Sequence, residues 1–485
     1  MLQRDKSPSI AIIGAGLSGL CMAIRLKENG FSNFTIFEKA DDVGGTWREN
    51  TYPGVACDVP SHLYSFSFAP KPDWSKVFSP GNEIQDYIQS VTNKYDLRPH
   101  IRFGAKLTHA EWLGGGWQLS FGNGDKIRAD YFISGMGGLH IPRYPDIPGM
   151  ERYKGTAYHT AAWHHGHVLA GKRVAVVGTA ASAIQLIPEI ADKVAHLDVY
   201  QRTPNWILPR PFMEYSDRMK RIFSRLPLLE KLHRLQIYLM FEMRFPLFRR
   251  DRFFARRATT MFTKHLEKQV KDESLQAKLT PDYPIGCKRI LASDVYFPAL
   301  QRDNVELITD PITSMDESGI TAGGTHRAVD TVIYATGFKP WDQMEDVTIT
   351  GKDGLDMRSY MKEGIRAHRT VAMPGFPNHF MLLGPNSGLG HNSVILMIEA
   401  QVGYIVDALR QARAGGAKVV EARADAADAY DKKLQHDLEG TVWAGHCKSW
   451  YQGEDGRIYT LWPWGTRRYM REMKRVNLAE YELTD

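Results

Sequence analysis

The chain of 485 residues has only four cysteines, Cys21, Cys57, Cys287 and Cys447, and no two form a C-x-x-C pair. That spacing excludes a zinc knuckle and gives no sign of a disulfide framework; it fits a reducing cytoplasm. No stretch is apolar enough to span a bilayer, and Met1 to Pro8 is short and polar, so no secretory signal is expected. His164, His165 and His167 crowd together, but no Cys or carboxylate joins them at ligand spacing, so a solvated loop is expected and no metal site. Charge of one sign is also scarce. The net charge is only +6, and nucleic-acid binding has no support beyond it. What remains, 43% hydrophobic and 24% charged residues, is the make-up of a soluble globular protein long enough for two or three domains.

Two stretches carry the main signal. Ser9-Ile10-Ala11-Ile12-Ile13 runs into Gly14-Ala15-Gly16-Leu17-Ser18-Gly19 and then a helical pattern. Arg173-Val174-Ala175-Val176-Val177 runs into Gly178-Thr179-Ala180-Ala181-Ser182-Ala183 and another helix, which carries Gln185. Strand, small-residue turn and helix is the dinucleotide-binding unit. At the same offset, 19 residues beyond each turn, the first unit has Glu38 and the second Arg202. An acid there accepts hydrogen bonds from a free ribose 2′-hydroxyl, and an arginine accommodates a 2′-phosphate. The first site is therefore expected to hold FAD through Gly14, Gly16, Gly19, Glu38 and the adjoining Lys39. The second is expected to hold NADPH through Gly178, Thr179, Ser182, Gln185, Arg202 and Thr203. Two glycines of the second turn are replaced; Ala180 puts a methyl where backbone approaches pyrophosphate, which predicts weaker NADPH binding.

The expected fold class is α/β, with two Rossmann-like dinucleotide-binding domains. Residues 1–150 form the first part of the FAD domain, including a glycine-turned hairpin over Glu111 to Ser120. Residues 151–374 form the NADPH domain, and 375–485 return to the FAD domain. A helical insertion is expected over about 211–280, where 16 Lys and Arg face 8 Asp and Glu. It reads as amphipathic helices packed on the second domain with a basic face in water, because acids alternate with the bases. Contact of that face with an anionic membrane surface is the alternative.

Between these units stands Gly44-Gly45-Thr46-Trp47, then, after four residues, Tyr52-Pro53-Gly54 and, after three more, Asp58. It resembles the long fingerprint of type I Baeyer–Villiger monooxygenases. Tyr153-Lys154-Gly155, His159 and Trp163-His164 resemble that family's second signature, with Tyr153 for its Phe and His164 for its terminal Pro or Asp. The resemblance runs from Gly14 to Ser449-Trp450-Tyr451. It implies an NADPH- and O2-dependent flavoprotein that turns ketones into esters or lactones through a C4a-peroxyflavin anion. A fixed cation beside the flavin stabilises that anion and the negative adduct that follows. The resemblance assigns this role to Arg289, in Tyr283-Pro284-Ile285-Gly286-Cys287-Lys288-Arg289, and makes Asp58 the carboxylate that orients it. Likewise, it implies a 2′-phosphate contact for Lys288, flavin contacts for Gly45, Thr46, Trp47 and Arg48, and a nicotinamide contact for Trp450. His159 is implied to be a conformational element in the linker.

Other readings stay open. One is a flavin-containing N-hydroxylase or S-oxidase using the protonated hydroperoxyflavin. Another is a flavin-binding protein without turnover. Which ketone is used and the oligomeric state are not set by the sequence.

Overall fold

The computed structural model describes residues 7–210, 213–340, 346–445, 449–453 and 455–484. Two five-stranded parallel sheets dominate. In the first the order is His379–Met381, Tyr131–Ser134, Ile10–Ile13, Phe34–Phe37, Ile101–Arg102. In the second it is Val305–Ile308, His196–Tyr200, Arg173–Val177, Thr331–Tyr334, Thr156–His159. The central strands are short apolar runs because both their faces are covered: all four residues of Ile10–Ile13 are buried, as are Val174 to Val177. The architecture is α/β with two Rossmann-like units.

The segment after residue 375 returns to the first sheet, His379 pairing with Phe132 in parallel register. The helix that follows, Val394–Gly415, is capped by Ser393, whose Oγ accepts from the Ile395 amide at 3.3 Å. It ends at Gly416, whose φ of +77° suits glycine. Its buried face packs on the helix Leu17–Glu28. The glycine-turned hairpin pairs Leu107–Trp112 with Trp117–Phe121.

Four helices, Asp217–Arg225, Pro227–Glu242, Arg252–Gln269 and Glu273–Leu279, follow the second strand of the second unit. One of them, Pro227–Glu242, docks through its two acids. Glu230 meets His62 Nδ1 at 3.2 Å. Glu242 accepts from Asn392 at 3.0 Å and from Thr466, and meets His391 at 3.4 Å. Burial opposes charging Glu242, but the His391 and Thr466 bonds prevail and hold its carboxyl at about 2.

One expectation needs correction. Cys287 is disulfide-bonded, whereas Cys21 and Cys57 are free and buried. The missing C-x-x-C pair excludes only local bridges, and one between distant segments leaves no spacing signal; Cys447 lies outside the described residues. The histidine cluster lies in a loop as expected, with His164 and His165 exposed; His165 bonds Thr51 at 2.7 Å and His167 bonds Thr331 at 2.8 Å.

Candidate active site

The first turn is closed by glycines that no other residue can replace. Gly14 has φ +99°, and a Cβ there would lie 2.7 Å from the Gly135 carbonyl oxygen. A Cβ on Gly19 would lie 1.9 Å from the Gly14 oxygen. Gly16 faces Gly45, and the Gly44 amide donates to Ala15 O at 3.0 Å, so the long fingerprint lies across the mouth of the turn. The helix Leu17–Glu28 starts without a side-chain cap and without an acid in its first turn. Its free amides and positive dipole end suit a pyrophosphate. Glu38 is buried just beyond the strand Phe34–Phe37 and accepts from Ala15 N at 2.7 Å and Ala40 N at 3.0 Å. A carboxylate fixed there accepts from hydroxyls and repels a phosphate.

Around this turn Lys39 pairs with Glu49 at 3.1 Å and Arg48 with Asp41 at 3.3 Å. Thr46 opens the short helix Thr46–Glu49, and Trp47 Nε1 donates to Tyr64 Oη at 3.2 Å. The buried Nε of Arg48 has no protein acceptor. Glycine cradle, uncapped helix and orphaned donor together fit an FAD diphosphate.

The second turn keeps the geometry despite its alanines. Gly178 has φ +109°, and a Cβ there would meet the Ala335 oxygen at 2.5 Å. Ala180 has φ −84° and ψ −161°, against −82° and −172° at Gly16. Any L-residue adopts that conformation, so the backbone is not rebuilt and the exposed methyl simply projects from the turn. We expect Ala180→Gly to lower the Michaelis constant for NADPH severalfold in steady-state assays, with flavin content unchanged. Weaker binding would mean that the turn depends on the methyl.

Gln185 is also bonded within the protein. Its Oε1 accepts from Tyr52 Oη at 2.8 Å, and its Nε2 donates to Ala56 O at 3.0 Å. Ser182 also bonds Tyr52. The carboxamide of Gln185 thus joins the long fingerprint to the second unit. The approach is close enough that a Cβ on Gly54 would lie 2.4 Å from Gln185 O.

The cations converge because two segments run side by side. Ile207–Leu208 pairs in parallel with Leu291–Ala292. Tyr283 Oη donates to Pro204 O at 3.0 Å, and Trp206 Nε1 donates to Tyr283 O at 3.0 Å. This brings Lys288, whose ammonium lies 4.4 Å from the Tyr283 ring centroid, near Arg202. Burial and then the Arg202 charge push the Lys288 ammonium below its ordinary pKa. Arg202 is exposed and has no carboxylate partner among the described residues. Two like charges held together, neither ion-paired with a carboxylate among the described residues, suit a phosphate dianion. Thr203 follows Arg202 in this segment, and Thr179 is buried, its carbonyl accepting from Asn205 at 3.0 Å.

The next residue crosses to the other unit. Arg289 donates from Nε to Asp58 Oδ2 at 2.6 Å and from Nη2 to Asp58 Oδ1 at 2.7 Å. Such a two-pronged bond fixes the guanidinium plane as well as its position. The Asp58 carboxylate raises the pKa of Arg289 above the usual arginine value, against the effect of burial. Both side chains stay partly open to solvent, 41% for Arg289 and 36% for Asp58.

Several supporting residues give no sequence signal. Arg210 donates to Cys57 O at 3.0 Å, beside Asp58, and Trp443 Nε1 donates to Gly286 O at 3.0 Å, beneath the Arg289 loop. Buried Tyr451 lies close enough to feel the Arg289 charge, while its neighbour Trp450 is 47% exposed. His159 is fully buried; burial pushes its pKa down to about 4, and its Nδ1 accepts from the Ala161 amide at 3.1 Å. It is neutral near pH 7. Elsewhere, His196, Asp198 and Glu306 cluster on the second sheet, where Arg327 holds Glu306 at 2.7 Å.

Residues 7–349 match the family described as flavin-binding monooxygenase-like. The chain belongs to that family. On its Baeyer–Villiger side, the sequence is 43% identical to a Baeyer–Villiger monooxygenase of Pseudomonas aeruginosa, over 98% of this chain and 91% of that one. It is 40% identical to one of Streptomyces coelicolor, over 98% and 92%. The fold matches the structure of OTEMO in complex with FAD and NADP with a TM-score of 0.89 and 26% identity, covering 99% of this chain and 100% of that one. As a member of this family the chain is an FAD- and NADPH-dependent monooxygenase, and no described helix is long and apolar enough to cross a membrane.

Proposed function

We propose that this monooxygenase, working in the cytoplasm, inserts one atom of O2 beside the carbonyl of a small ketone. A ketone, O2, NADPH and a proton give an ester or lactone, NADP+ and water. Bound FAD, once reduced by NADPH, supplies the oxygen-activating chemistry. We divide the work along the chain: residues 1–150 and 375–485 hold FAD, and residues 151–374 hold NADPH, except that the strand Thr348–Thr350 pairs with Leu107–Trp112 and so goes with the FAD part.

The observation that carries this reading is the Arg289–Asp58 pair. Arg289 places a permanent positive charge where negative charge develops on the oxygen atoms during attack on the carbonyl. Asp58 holds that charge in one orientation through both prongs of the guanidinium. Because the two residues come from different nucleotide units, their bond also fixes one unit against the other. Lys288, one residue before Arg289, grips the 2′-phosphate with Arg202, so cofactor binding and placement of the charge share one loop. Oxidation of nitrogen or sulfur needs a neutral, electrophilic oxidant and gains nothing from a fixed cation. Gly45, Thr46, Trp47 and Arg48 would contact FAD, and Trp450 would contact the nicotinamide cofactor.

The test is product analysis by mass spectrometry on a panel of linear, cyclic and aryl ketones with NADPH. Esters or lactones heavier than the ketone by one oxygen are expected. N- or S-oxides formed from amines and sulfides while every ketone is returned unchanged would overturn the reading.

A further inference from the structure

The helix Pro227–Glu242 turns an apolar side outward. Leu228, Leu232, Leu235 and Leu239, with Met243 at the C-terminal cap, recur every three or four residues, which aligns them along one stripe. They are strongly exposed, from 48% at Leu235 to 67% at Leu228. The opposite side holds the buried Glu230, Ile237 and Phe241, together with Arg234, which donates to the His62 carbonyl. At 1.5 Å per residue the stripe is about 22 Å long. A continuous apolar strip of that size marks a docking surface, whereas scattered exposed leucines do not.

Charge says what docks. From Arg218 to Arg257 there are twelve Lys and Arg and only three acids, Glu230, Glu242 and Asp251. In the sequence those acids break up the basic pattern; in the fold Glu230 and Glu242 turn inward, and Asp251 alone of the three stays exposed. Glu230 is buried against His62, and Glu242 is tied to Thr466 and Asn392. Asp251 caps the helix Arg252–Gln269. Arg218, Arg225, Lys231, Arg252, Arg256 and Arg257 are exposed, and none has a carboxylate partner among the described residues. Arg225 precedes the stripe, Lys231 borders it, and Arg244 follows Met243.

We propose that this face seats the enzyme on an anionic lipid surface. The leucine and methionine stripe enters the headgroup boundary, and the flanking Arg and Lys side chains meet lipid phosphates. The contact is peripheral. A second copy of the chain fits the face less well, since two such surfaces would bring unpaired arginines together with few exposed acids to neutralise them.

The experiment is flotation of the FAD-loaded enzyme with vesicles of phosphatidylcholine alone and of phosphatidylcholine with phosphatidylglycerol, at low and high salt. Binding at least about tenfold stronger to the anionic vesicles, and weakened by salt, is expected. The double variant Leu232→Glu, Leu235→Glu should lose that binding while keeping the parent's flavin content, melting curve and NADPH oxidation in buffer. The triple variant Arg218→Gln, Arg225→Gln, Arg256→Gln, which leaves the stripe intact, should lose it as well. Binding to neither vesicle, or equal and salt-independent binding to both, would overturn the proposal. So would sedimentation showing a dimer that the Leu232→Glu, Leu235→Glu variant dissociates, because the stripe would then be a self-association surface.

Discussion

Replacing Arg289 with alanine is expected to stop ester and lactone formation while NADPH oxidation continues. The guanidinium is the cation placed by Asp58 at 2.6 and 2.7 Å, and no other cation is bonded to Asp58 among the described residues. Removing one fixed electrostatic stabiliser typically costs about 10²–10³ in rate. Flavin reduction does not use that charge, so consumed O2 should leave as hydrogen peroxide. The measurement is a paired one: product by mass spectrometry and peroxide by a coupled assay, per NADPH consumed. Asp58→Ala should shift the same ratio less, because the cation remains but is no longer held in one orientation. Arg289→Lys should restore little, since an ammonium keeps the charge but not the planar fork. Ketone conversion by Arg289→Ala at the parent rate would move the site elsewhere and return heteroatom oxidation to first place.

The nucleotide turns were legible in the sequence because they rest on local backbone geometry. Gly14, Gly19 and Gly178 stand where a Cβ would meet a carbonyl oxygen, so their identities report the turn directly. The Glu38 and Arg202 contrast was legible for the same reason: each stands a fixed distance beyond a turn of known shape. Residues that join distant segments were not legible. Gln185 sits on the second helix like a cofactor ligand, yet its amide is bonded to Tyr52 and Ala56, and no spacing in the sequence announces that pairing. Arg210 and Trp443, which brace the Asp58 and Arg289 loops through carbonyl oxygens, escaped for the same reason. The helical segment was legible in part. Its mixed charges suggested a basic face diluted by acids, but the direction of Glu230 and Glu242 is set by partners at His62 and Thr466, far away in the chain. Composition gives the charge of a helix; only tertiary contacts decide which side meets water.

The choice between NADPH and NADH should depend most strongly on Arg202. Lys288 and Arg202 lie near each other, and burial together with the Arg202 charge lowers the Lys288 pKa, so a dianion between the two cations would favour the charged ammonium. A charge-assisted hydrogen bond contributes about 1.5–3 kcal/mol, which is roughly 10- to 150-fold in binding. Arg202→Ala should therefore lower kcat/KM for NADPH by a factor in that range, through KM, and leave NADH kinetics almost unchanged. Lys288→Ala should act in the same direction, although it adjoins Arg289 and is the less clean variant. Since both cations face one phosphate, the double variant should lose less than the product of the two single losses. Glu38 stays the control: its carboxylate is bonded to the Ala15 and Ala40 amides at the other turn, so Glu38→Gln should alter flavin retention and not the NADPH preference. The decisive measurement is the NADPH-to-NADH ratio of kcat/KM in the parent and in Arg202→Ala. A parent enzyme that uses both cofactors equally well would sink the assignment of the 2′-phosphate to this cation pair.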